Sequence, residues 1–107
     1  MAVKIIIERT VHPSRQQETA QLLRELRAKA ILQPGYICGE TLFSVEEPGA
    51  HAVISTWDTL ENWRAWESSP QRRQLAARLE PLLRSPEKAR AFVESSAPPT
   101  DPEWSKP

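Results

Sequence analysis

The chain has one cysteine, three glycines and no excess of either charge among its 107 residues. Each scarcity removes a class of protein. A lone thiol, Cys38, cannot close an internal disulfide, which fits a reducing compartment rather than a disulfide-stapled secreted scaffold. Fourteen basic and fourteen acidic side chains cancel, and they are scattered, so no basic stripe is available for nucleic acid or an anionic membrane surface. No apolar run approaches the ~20 residues of a membrane span. The opening stretch MAVKIIIERTV is too short and too soon charged for a signal peptide. These features predict a cytoplasmic protein with no nucleic-acid or membrane partner. No HExxH or other metal-ligand spacing occurs, so no metal is expected either.

What is present is one domain, since a chain of this length buries roughly 60–68% of its unfolded surface in a single modest core. Residues 3–11, VKIIIERTV, are rich in β-branched side chains and stop before Pro13, which predicts a strand. Ser14 is placed to cap a helix running to about Ile31, in which Leu22, Leu23, Leu26 and Ala30 recur at helical spacing. Pro34 and Gly35 end it. The β-rich runs 36–45 and 51–57 flank a Pro-Gly loop and read as an antiparallel hairpin. Asp58 or Thr59 then caps a short helix to about Ser68, and Pro70 opens a second one to about Leu83, kinked or shortened by Pro81. A weaker strand pattern at 87–95 closes the domain, placed at residues 1–96. The segment 97–107, APPTDPEWSKP, has four prolines in eleven residues and is expected to be an extended tail, with Trp104 a candidate for docking on a partner subunit.

The order β-α-β-β-α-β specifies an α+β, ferredoxin-like plan, a four-stranded antiparallel sheet with helices on one face. Both faces of the strands carry apolar residues: Val3, Ile5 and Ile7 lie opposite Ile6, and Val53 and Trp57 opposite Ala52 and Ile54. A sheet with one wet face would alternate more cleanly. Four strands of about five residues span roughly 17 by 19 Å, an area comparable to the largest apolar patch a monomer ordinarily shows, about 300–600 Å². A second copy covering that face, in a two-fold homodimer, is the expected solution.

Three of the four tryptophans fall within ten positions, Trp57, Trp63 and Trp66. Trp57 ends a strand, and the other two lie on the following helix about 60° apart. This predicts Trp63 turned into the core and Trp66 at the rim of a helix–sheet cleft, where an indole offers a flat wall and a free N–H to a small aromatic molecule.

The stretch QPGYICGETLFSVEEPGAHAVISTWDTLENWRAWESSPQRRQL resembles the antibiotic biosynthesis monooxygenase family: a Pro-Gly turn into a strand, a strand ending in Trp, then a helix with a Trp before a Ser-containing turn. The likeness covers about residues 3–95. It implies a dimeric α+β barrel with a pocket between the sheet and helices of each protomer. Family chemistries include cofactor-independent oxygenation of phenols and haem degradation. The haem-degrading members carry an Asn on the first strand and an iron-ligating His about ten residues after the helix Trp. Here that later position is Ala76 and the first strand offers Glu8 or Arg9, so haem degradation is not expected.

Asn62 and Trp66 match the Asn and Trp of quinone-forming members, which implies a hydrogen-bond donor in Asn62 and a substrate wall and donor in Trp66. The reading that follows is a cofactor-free monooxygenase acting on a small aromatic or quinol-like substrate. Its alternative is a non-catalytic dimeric module that binds a small apolar ligand. His51 is the candidate base, since an unperturbed imidazole titrates near neutrality, while Glu8 or Glu40 would need burial to serve. Tyr36, Cys38 and Glu40 are placed on one face of the second strand, lining the cleft with Trp63; Cys38 is read as a small buried side chain. Arg72 and Arg73 are read as solvated, with binding of an anionic group as the other possibility.

Overall fold

The computed structural model describes residues 2–94; the expected tail and Trp104 lie outside them. The elements are β1 (Val3–Thr10), a 3₁₀ turn (Pro13–Arg15), α1 (Gln16–Ala30), β2 (Tyr36–Phe43), β3 (Ala50–Trp57), α2 (Leu60–Glu67), α3 (Pro70–Leu79), a 3₁₀ turn (Glu80–Leu82) and β4 (Lys88–Val93). The strands form one antiparallel sheet in the order β2-β3-β1-β4. This is the ferredoxin-like α+β fold that the sequence pattern predicts.

Period two decides what each strand buries. Val3, Ile5, Ile7 and Arg9 of β1 face the helices, as do their cross-strand partners Trp57, Ser55, Val53 and His51 on β3. Leu22 and Leu26 of α1, Trp63 and Trp66 of α2, and Leu75 and Leu79 of α3 close over them. Each fully buried Leu or Ile contributes about 1.5–3 kcal/mol, so this one layer carries most of the stabilisation.

Several boundaries differ from expectation for local reasons. Ser14 does not cap α1; Pro13 begins a 3₁₀ turn, and Arg15 sits at the N-cap without a side-chain cap bond. Thr59 rather than Asp58 caps α2, accepting from the Asn62 N–H, and Ser69 caps α3 ahead of Pro70. The last helix stops at Leu79, and Pro81 lies in the 3₁₀ turn that follows, because proline removes a helical N–H. β2 ends at Phe43: the Ser44 hydroxyl accepts from the Glu46 and Glu47 N–H groups and turns the chain.

The sheet face away from the helices is mixed. Ile6, Ala52 and Ile54 are half-buried along its centre, with Leu42 and Phe92 exposed beside them. Lys4, Glu8 and Arg90 lie among them, and Arg90 pairs with Glu8 at 3.4 Å.

Candidate functional site

A cavity of about 360 Å³ opens between α1 and the helix-facing side of β2 and β3. Tyr36, Trp57, Trp63 and Trp66 wall it, with Leu23, Leu26 and Ala30 of α1 opposite. The aromatics hold one another in place: Tyr36 meets Trp57 edge-on with centroids 5.4 Å apart, and Trp57 meets Trp63 at 5.7 Å. Such edge-to-face pairs fix ring orientation beyond simple area burial. The Trp57 indole donates to the Ser55 hydroxyl at 3.0 Å.

A register irregularity in β2 builds the Tyr36 side of the wall. Tyr36 pairs with Trp57, but Cys38 pairs with Thr56, so an extra residue sits between them. The bulge re-aims the side chains that follow. Gly39 then provides room for the tyrosine, since a Cβ there would lie 2.5 Å from the Tyr36 hydroxyl oxygen.

The far end of the cavity is charged. Arg9 and Arg72 line it, their side chains only 4% and 9% exposed. The Arg9 Nε donates to Glu87 at 2.7 Å, and an Arg72 terminal nitrogen donates to the other Glu87 oxygen at 3.3 Å. Arg72 also lies over the Trp63 ring, 5.3 Å from its centroid. Burial alone would raise the Glu87 pKa, but the two guanidinium charges and their hydrogen bonds outweigh it and hold the carboxyl below its ordinary value. Desolvation lowers Arg9, with Glu87 opposing; an arginine keeps its proton regardless.

The candidate residues separate in space. Trp63, Trp66 and Tyr36 wall the cavity; Glu40, an exposed residue of the edge strand, borders it, but its pairing with Ile54 directs its side chain to the outer sheet face. Trp66 is as buried as Trp63, each 3% exposed, so it is a wall of the cavity and not a rim residue. Asn62 does not line it: its side-chain amide donates to Asp58 Oδ1 at 2.7 Å, beneath the loop at Gly35. Cys38 is exposed and absent from the lining, because the bulge turns it and Glu40 to the face opposite Tyr36. Glu8 points outward to Arg90.

His51 is buried, paired across the sheet with Arg9 and Phe43. It borders a second, shallower hollow, and only Arg9 and Phe43 touch both spaces. Its Nε2 is the one fully buried side-chain polar atom without a partner among the described residues. Burial, reinforced by the Arg9 charge, lowers its pKa and favours the neutral imidazole. Arg73 is exposed as expected, whereas Arg72 is not. Among the described residues no group of three or more His, Cys, Asp or Glu is placed to hold a metal, and no helix is long and apolar enough to cross a membrane.

Arg9 and Glu87 complete the site beyond the residues expected from sequence. Arg9 left a signal, a charge standing in the period-two apolar stripe Val3-Ile5-Ile7-Arg9-Val11. Glu87 left none, since its partners are 78 and 15 residues away in sequence.

The family model for antibiotic biosynthesis monooxygenase matches residues 2–78; the chain belongs to that family. Among solved structures it is similar to a conserved protein from Methanosarcina mazei Go1, with a TM-score of 0.83 at 16% identity over 89% of this chain and 94% of that one. It is also similar to SnoaB from Streptomyces nogalater, a cofactor-independent oxygenase, with a TM-score of 0.79 at 19% identity over 92% and 97% of the two chains. At these identities the likeness is one of fold. No curated protein matches the chain.

Proposed function

We propose that the protein is a cofactor-independent monooxygenase that oxidises a small aromatic or quinol-like molecule held in the cavity between α1 and the sheet. The observation that carries this reading is the wall of Tyr36, Trp57, Trp63 and Trp66 around about 360 Å³, a space suited to a flat apolar body. Trp66 adds a donor. Its indole N–H has no acceptor among the described residues, and only His51 Nε2 there is both fully buried and unpartnered, so the Trp66 N–H borders open volume and is available to a ligand oxygen.

The chemistry balances without a cofactor when the substrate supplies the electrons. The ring carbon para to a phenolic hydroxyl loses its hydrogen and the hydroxyl loses its own; one atom of O₂ becomes a carbonyl oxygen at that carbon, giving a quinone, and the other leaves with both hydrogens as water. The protein's part is to hold the ionised, electron-rich phenol in an apolar space against O₂. His51, neutral and buried, is the proton acceptor we assign; it does not line the cavity, so in this scheme a water carries the proton to it. Asn62 holds the Gly35 loop through Asp58, which makes it a positioning residue in this scheme.

We further propose that the molecule is a cytoplasmic homodimer, its mixed outer sheet face covered by a second copy around Ile6, Ile54, Leu42 and Phe92. A lone, exposed Cys38 suits a reducing compartment.

A second reading has one observation in its favour. Neither Asn62 nor His51 lines the aromatic cavity, which suits a module that binds an aromatic molecule without transforming it. Oxygen uptake separates the two. Incubated in air with a panel of dihydroxy-aromatics, the monooxygenase consumes O₂, and Trp66→Phe consumes it at least tenfold more slowly. Binding of the same compounds with O₂ uptake no faster than buffer would leave the binding module.

A further inference from the structure

We propose that the inner end of the aromatic cavity is an anion receptor formed by Arg9 and Arg72, and that the ligand it takes is an aromatic carboxylate. This rests on the reading of the cavity as an aromatic site and adds the charge of what fills it.

Two guanidinium groups share one carboxylate, Glu87, which leaves one positive charge uncompensated in a nearly dry position. Arg24 and Arg27 of α1 line the same cavity, and the one carboxylate residue in its lining, Glu40, is directed by its pairing with Ile54 to the outer sheet face. The whole chain has no net charge; the positive character belongs to this cavity. An uncompensated buried charge is costly, and an anion delivered by a ligand removes that cost.

Geometry agrees. Glu87 takes the Arg9 Nε and one terminal nitrogen of Arg72, and Glu87 does not itself line the cavity. The remaining guanidinium nitrogens have no acceptor among the described residues, and none is a fully buried unpartnered atom. They therefore border open space. The two terminal nitrogens of Arg9 form a planar fork that can donate to both oxygens of a carboxylate. Trp63, beneath Arg72 at 5.3 Å, places an aromatic face beside that charge. An aryl ring on the indoles with its carboxylate at the arginines satisfies both ends.

Calorimetric titration with 2-naphthoate and with neutral 2-naphthamide, which has nearly the same shape, tests this without requiring turnover. The wild type is expected to bind the carboxylate at least tenfold tighter than the amide. Glu87→Gln removes the competing internal carboxylate and should widen that preference at least threefold, a gain that loss of structure does not produce. Arg72→Met, checked by circular dichroism for folding, should bring the preference below threefold. Equal affinities in the wild type, or an unchanged ratio in Glu87→Gln, overturns the proposal and leaves the aromatic site standing. If neither compound binds, the aromatic reading falls with it. If uncharged 2-naphthol binds as tightly as 2-naphthoate, the arginines serve a phenol and the carboxylate assignment is wrong.

Discussion

Arg72 stacks over Trp63, its guanidinium carbon 5.3 Å from the indole centroid, while one of its nitrogens reaches Glu87 at 3.3 Å. A helix-borne cation thus ties the aromatic wall to the charged end of the cavity. Cation–π contacts of this kind contribute about 0.5–2 kcal/mol, more when dry. Arg72→Leu is expected to lower stability by about 1–3 kcal/mol in urea unfolding, as it loses both contacts but leaves Glu87 its Arg9 partner. A change below a few tenths of a kcal/mol would show that the stack is incidental.

Acid should weaken the fold in two stages of the same sign, because the folded pKa values of His51 and Glu87 both lie below their ordinary ones. The folded pKa of His51 lies below its usual 6.5, so below that value the unfolded chain binds the proton first and stability falls as pH drops toward the folded pKa. His51→Gln should flatten the stability profile just below pH 6.5. Glu87 is also depressed, from 4.5; its contribution is complete above that value and is lost as pH falls through the lower, folded one. Glu87→Gln should therefore be less stable than wild type at pH 7 and converge on it in strong acid. Urea midpoints measured at half-unit pH intervals read both effects, and parallel profiles for either variant and the wild type would contradict the assignment.

Gly35 stands at φ +86° with the Asp58 carboxylate and the Asn62 amide against it; a Cβ would lie 2.2 Å from Asp58 Oδ1 and 2.6 Å from Asn62 Nδ2. Gly35→Ala is expected to cost more than about 1 kcal/mol, through both backbone strain and steric overlap. Gly39→Ala, whose Cβ meets only the movable end of Tyr36 and the Ile54 carbonyl, should be milder in thermal unfolding. The reverse order would mean that the Tyr36 side of the wall is the more rigid.

Much of this architecture was legible in the sequence, because period-two and period-3.6 apolar patterns are local signals. Val3-Ile5-Ile7 and Leu22-Leu26 could be assigned to the core from spacing alone. The cleft was legible only in part. The bulge between Tyr36 and Cys38 breaks strict alternation, so counting by twos put Cys38 on the wrong face. Trp66 was expected at a rim, since helical angles say which way a side chain points but not how much chain lies over it. Arg72 was read as solvated because its partners, Glu87 and Trp63, are brought to it by the fold.

The outer sheet face gives the clearest expectation for assembly. Sedimentation should report a species of twice 12.2 kDa at micromolar concentration, and Ile54→Lys, which places a charge at the centre of that face, should reduce it to a monomer with the fold kept. A wild-type monomer would contradict the homodimer.

The central claim is that the space walled by Tyr36, Trp57, Trp63 and Trp66 is where the protein's ligand lies. The most direct measurement is a crystal structure with a bound dihydroxynaphthalene. The account predicts its rings packed on Trp63 and Trp66, with an oxygen within hydrogen-bonding distance of the Trp66 Nε1. A ligand seated instead in the hollow beside His51 and Ser85, with the aromatic cavity unchanged, would contradict it.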